Sequence, residues 1–93
     1  MKFELGYCVT TRGVANKMEY DEEFRKFVHK SFERHTECDW GDLDSDDKEA
    51  NDMSVANGGD MILSKYNYDN ETSIYIITEW DRSETTILFP SEY

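Results

Sequence analysis

The chain has 93 residues, a third of them charged, with 21 acidic residues against 10 basic ones and a net charge of −11. That length holds one domain, residues 1–93, and leaves no room for a second core. The charge argues against direct binding to nucleic acid or to an anionic membrane, both of which repel acid, and favours basic protein partners; acidity alone is equally compatible with simple solubility.

Thirteen aromatic residues counter the thin stability margin of so short a chain, because each can bury roughly 150–250 Å². The apolar residues also recur periodically, so a folded domain is expected and not an acidic disordered tail. Cys8 and Cys38 are the only cysteines, a poor disulfide framework. No apolar leader or membrane-length run is legible, so the expected setting is the cytoplasm with reduced thiols.

Lys2–Thr10 alternates Phe3, Leu5, Tyr7 and Val9 against Lys2, Glu4, Gly6, Cys8 and Thr10, the pattern of a half-buried strand. Thr11-Arg12-Gly13 breaks it, and Val14–Glu19 reads as a short helical turn with Val14 and Met18 on one side. Asp21 is the expected N-cap of the main helix, with Glu22 and Glu23 at the positive end of its dipole. Phe24, Phe27, Val28 and Phe32 form its apolar stripe, and it should end near His35–Glu37.

Cys38–Leu43 reads as a loop, with Gly41 permitting a turn closed to other residues. Asp44 or Ser45 should cap a second helix, with Leu43 packing at its entry, that runs to about Asn57 and stops at Gly58-Gly59. Its apolar side is thin, only Ala50, Met53 and Ala56.

The remainder reads as strands Met61–Tyr68, Ser73–Trp80 and Glu84–Phe89, with turns at Asp69-Asn70-Glu71 and Asp81-Arg82-Ser83 and a stop at Pro90. Ser73–Trp80 is apolar on both faces in its middle and belongs inside the sheet. The expected fold is therefore α+β, in the order β-α-α-β-β-β, with two helices on one face of a four-stranded antiparallel sheet.

The most distinctive stretch is Glu37–Asp60, which carries nine acidic residues against one basic residue, Lys48, or −8 of the chain's −11. Within it, Asp39, Trp40, Asp42, Asp44, Asp46, Asp47, Glu49 and Asp52 are the expected partner-binding residues. Asp44 to Asp52 lie along a short helix, with Asp39 and Asp42 leading into it. Helical rise is about 1.5 Å per residue and duplex DNA carries about one charge per 1.7 Å, so a basic groove could accept such a surface as a phosphate track. Trp40 stands open between core anchor and interface residue, whereas Trp80, at a strand end, is expected to pack on the core or the sheet edge.

Other chemistries find little support. Counted from Asp42, the calcium-loop pattern requires glycine sixth and glutamate twelfth, where the chain has Asp47 and Met53. His35-x-x-Cys38, with His29 and Cys8, falls short of a zinc set, because His29 and His35 occupy different helix faces; an exposed histidine and a small buried cysteine are expected instead. Acids around Cys38 should blunt its thiol. Arg12 and Arg82 are expected to bind neighbouring carboxylates. No catalytic residue, metal or cofactor is expected, and the protein is read as a non-enzyme.

The stretch from Ile77 to Tyr93, ITEWDRSETTILFPSEY, resembles a family of small proteins from phages, plasmids and other mobile elements of gut bacteria. Lys2-Phe3-Glu4-Leu5-Gly6, Thr11-Arg12-Gly13-Val14 and Asp39-Trp40-Gly41-Asp42-Leu43 are similar to the same family in the same order, so the resemblance spans nearly the whole chain. The family is usually labelled uncharacterised or plasmid-related, sometimes restriction-associated, and implies no catalytic residues. It implies a small residue such as alanine at position 80, where this chain has Trp80.

The resemblance implies a mobile-element setting, in which small acidic proteins often inhibit host defence. Joined to the charge, it gives the first functional expectation: a non-enzymatic anti-CRISPR or anti-restriction inhibitor that mimics DNA on a basic surface of a CRISPR effector or restriction complex. The second expectation is a protein-interaction adaptor or homodimeric regulator that uses the sheet face and Trp80. Monomer and homodimer both stand open.

Overall fold

The computed structural model describes residues 2–93. Strand β1 (Tyr7–Thr10) is followed by helices α1 (Arg12–Tyr20), α2 (Glu22–Thr36) and α3 (Ser45–Asn57). Strands β2 (Ile62–Asn67), β3 (Ser73–Thr78) and β4 (Glu84–Leu88) follow, and a 3-10 turn spans Pro90–Glu92. The sheet order is β1-β4-β3-β2. β2 and β4 both run antiparallel to β3, but β1 runs parallel to β4. The α+β class stands; the sheet is mixed where a purely antiparallel one was expected, and there are three helices instead of two.

The direction of β1 is fixed at its end, where α1 begins at once. The Thr11 N–H donates to the Ile87 carbonyl at 3.0 Å, and the Thr11 hydroxyl donates to Glu92 Oε1 at 2.8 Å. Both contacts lie at the C-terminal end of β4, so the two strands must point the same way. Thr11 also caps α1, its hydroxyl accepting from the Val14 N–H. That cap extends the expected short turn into a nine-residue helix.

The long N-terminal strand is a second correction. Gly6 sits at φ +65°, and a Cβ there would meet the Ser83 carbonyl at 2.2 Å. The chain turns at this glycine, so Phe3 is buried while Tyr7 is 81% exposed. The alternation of Phe3, Leu5, Tyr7 and Val9 therefore does not lie on one face.

Asp21 caps α2 as expected, accepting from the Phe24 N–H at 3.0 Å, and its own N–H closes α1 on the Lys17 carbonyl. Phe24, Val28, Ser31 and His35 are the buried line of α2; Phe27 and Phe32 flank it half-buried. Phe24 and Val28 pack with Val14, Tyr66, Ile74, Ile76 and Ile87 in the main core. A second cluster joins Phe3, Trp40 and Ile62, with Leu5, Leu43 and Val55 against it.

His35, expected at an exposed helix end, is fully buried. Its Nδ1 lies 2.5 Å from the Ser64 hydroxyl and its Nε2 lies 2.9 Å from the Thr78 hydroxyl. Thr78 and Thr85 hydroxyls are 2.8 Å apart, and Thr85 donates to the Leu5 carbonyl at 2.7 Å. That last acceptor orients the chain: Thr85 must accept from Thr78, Thr78 from His35 Nε2–H, and Nδ1 from Ser64. The network is satisfied by a neutral imidazole, and burial pushes the His35 pKa down to about 4.

Candidate functional site

Helix α3 does not join α1 and α2 on the sheet face. It lies along β2, the outer strand on that side, and buries only Asn51 and Ser54. Asn51 acts as a substitute strand: its Nδ2 donates to the Leu63 carbonyl at 2.7 Å and its Oδ1 accepts from the Leu63 N–H at 3.1 Å. The Lys65 N–H donates to the Trp40 carbonyl at 3.2 Å and the Asp42 N–H to the Lys65 carbonyl at 2.7 Å. Asp42 Oδ2 accepts from the Asn67 N–H at 2.9 Å. Three successive outward residues of β2 are thus closed by α3 and its leading loop.

Gly41 makes that loop possible. It sits at φ +77°, bridged to Lys65, and a Cβ would fall 2.0 Å from the Lys65 carbonyl and 2.6 Å from the Tyr66 ring. Trp40 beside it is 3% exposed, which settles it as a core anchor. Its Nε1–H donates to Asp52 Oδ1 at 2.9 Å and so ties α3 to the second core cluster.

The eight expected partner-binding residues therefore divide. Asp39 is held by Arg34 in a two-pronged ion pair, Nε to Oδ2 at 2.7 Å and Nη2 to Oδ1 at 3.1 Å. The Arg34 hydrogen bond holds its carboxyl below the usual carboxylate range. Asp42, Asp44 and Asp52 are exposed but each has a structural bond; Asp44 is the N-cap of α3, accepting from the Asp47 N–H at 2.9 Å. Asp46, Asp47 and Glu49 point their carboxylates to water, and among the described residues no ion pair engages them. Asp46 and Glu49, with the exposed Met53, recur at helical spacing on the side opposite Asn51, while Asp47, four residues before Asn51, is exposed on the near side of the first turn.

Residues outside the expected set brace this edge. Arg82, at φ +60°, binds carbonyls and not the expected carboxylate: Asp60 at 2.7 Å, Ser54 at 2.9 Å and Glu79 at 3.2 Å. It pins the β3–β4 turn to the C-terminal end of α3. Trp80 in that turn is 63% exposed, against the expected packing. Ser54 reaches back to the Asp60 carbonyl at 2.6 Å. Asn51 and Ser54 carried no sequence signal beyond interrupting an apolar stripe. Burial raises the Cys38 thiol pKa, Asp52 adding to the rise and Lys2 opposing it, and His35 is committed to two hydroxyls, so the two do not form a ligand pair. No helix among the described residues is long and apolar enough to cross a membrane.

Comparison with protein-family models, curated proteins and solved structures gives no match.

Proposed function

We propose that the protein is a non-enzymatic acidic inhibitor that presents α3 to a basic, nucleic-acid-binding surface of a bacterial defence complex, of the CRISPR or restriction kind. The observation that carries this reading is the set of exposed, unpaired carboxylates of Asp46, Asp47 and Glu49 on a braced helix. Lysines pair with acids elsewhere on the surface, at Lys17–Asp21, Lys26–Glu22 and Lys30–Glu33, while Asp46, Asp47 and Glu49 keep their charge open. Asp46 and Asp47 gain from the helix dipole in the first turn; Glu49 lies beyond it and has no such compensation. Carboxylates three residues apart advance about 4.5 Å along the helix axis, against an axial advance of roughly 3.4 Å per phosphate on one DNA strand. The resemblance to mobile-element proteins supplies the defence setting.

The experiment is displacement of labelled duplex DNA from a basic protein captured out of bacterial lysate. The wild type should displace it, with affinity falling steeply as salt rises. Asp46→Lys/Asp47→Lys/Glu49→Lys should lose displacement while keeping its circular dichroism. Asp44 is left alone because it caps the helix. Displacement unchanged by the reversal refutes the assignment.

A second reading, an interaction adaptor working through the sheet face and Trp80, draws on the exposure of Trp80 and of Tyr93, whose ring stands edge-on to Tyr75 at 5.9 Å. It requires Trp80→Ala to abolish capture and the charge reversal to spare it.

A further inference from the structure

The sheet has two edges, and the fold treats them oppositely. β2 is shut by Asn51, Trp40 and Asp42. All four residues of β1 are exposed, with Val9 at 40%. The Tyr7 N–H donates to the Ser83 carbonyl and the Thr11 N–H to the Ile87 carbonyl, so the odd-numbered residues turn their backbone groups toward β4. By strand alternation Cys8 and Thr10 turn theirs outward. The strand is short, which limits pairing, but Tyr-Cys-Val-Thr carries no charge and no proline, and all four of its residues are exposed.

We propose that the protein forms a twofold homodimer in which two β1 strands pair antiparallel about Val9 and join the sheets into one of eight strands. That register pairs all of the outward groups, whereas centring on Cys8 or on Thr10 pairs only one residue from each copy. Cys8 faces the partner's Thr10 as a hydrogen-bonded pair and Thr10 faces the partner's Cys8, giving four backbone hydrogen bonds, with the two Val9 side chains meeting at the axis as a non-hydrogen-bonded pair. A rotation axis perpendicular to the sheet keeps the helices of both copies on one side. It also brings against its own copy the groove of about 470 Å³ that flanks β1 on the helix side, where Met18, Val28, Phe32 and Ile87 line the wall and His29 and Glu33 stand at it.

The net charge of −11 does not oppose a second copy. The acidic helix lies at the far edge, beyond β2. In an eight-stranded sheet the two β2 strands are seven spacings apart, about 33 Å, several times the Debye length of about 8 Å at physiological salt. The uncharged strands Tyr7–Thr10 meet while the acidic helices are held apart. Both acidic edges stay free, so the dimer stands or falls independently of the partner proposed above.

The test is sedimentation of the full chain under reducing conditions over a wide concentration range, with cysteine cross-linking to fix the register. The wild type should move from the chain mass to twice that mass as concentration rises. Thr10→Pro removes an outward donor without touching the β4 ladder, and Val9→Lys sets two charges at the axis; each should hold the protein at the chain mass. In a Cys8→Ser/Cys38→Ser background, Val9→Cys should oxidise to a covalent dimer, whereas Thr10→Cys should not, being offset from its own copy by two residues. A single-chain mass at every concentration, a dimer that survives both edge variants, or equal cross-linking at positions 9 and 10 would each overturn the proposal.

Discussion

Acidification should destabilise the protein through His35. In the unfolded chain the imidazole takes up a proton near 6.5; in the fold burial delays this to about 4. Stability is therefore whole above pH 6.5, falls as pH drops toward 4, and flattens below. Each unit of separation is worth about 1.4 kcal/mol, so the whole window costs about 3 kcal/mol and the step from pH 7 to pH 5 about 2 kcal/mol. The structure gives the reason: a second ring proton would face Ser64, whose only other acceptor is the Ile76 carbonyl at 3.5 Å. Asp39, whose pKa is held low, loses its contribution only at more acidic pH. Urea unfolding of the wild type and His35→Gln at pH 7 and pH 5 isolates the effect, the wild type losing about 2 kcal/mol more than the variant. Carbon-bound proton shifts of His35 followed against pH supply the direct check. Equal pH slopes in the two proteins, or a His35 titration near 6.5, would refute the reasoning.

Asn51→Ala should cost about 1–3 kcal/mol in urea unfolding, because it strands the Leu63 N–H and C=O together. Gly41→Ala should cost at least about 2 kcal/mol, from its positive φ and the absent space for a Cβ, with loss of the folded near-ultraviolet spectrum as the extreme outcome. Trp40→Phe keeps the ring and removes the bond to Asp52; about 1 kcal/mol is expected in the same assay. Asp39→Asn, which breaks an exposed ion pair with Arg34, should change stability by less than about 1 kcal/mol, and by less still at high salt.

The local signals in the chain were strong where one helix or hairpin decides its own shape. The Asp21 and Asp44 caps, the Gly58 stop and the inner position of Ser73–Thr78 all follow from neighbours in sequence, and the structure has them. What sequence reasoning missed depends on contacts between distant residues. The parallel direction of β1 is set by Thr11 meeting Glu92, eighty-one positions away. His35 reads as a polar helix end until Ser64 and Thr78 are brought to either side of its ring. Asn51 sits on a helix with almost no apolar side, which suggested shallow packing on the sheet face; its amide pairs instead with a strand edge, a bond that no hydrophobic pattern encodes. The acidic stretch was legible as composition. Its division into braced carboxylates and free ones was not, since a charge in a sequence does not say what it faces.

The most direct test of the acidic-edge account is capture from bacterial lysate at low salt by the wild type and by Asp46→Lys/Asp47→Lys/Glu49→Lys, followed by a salt gradient and mass spectrometry of the eluate. The account predicts that the wild type retains a basic nuclease or CRISPR component that elutes as salt rises, and that the reversed helix retains none. Capture of the same protein by both, or a partner that resists the salt gradient, would contradict it.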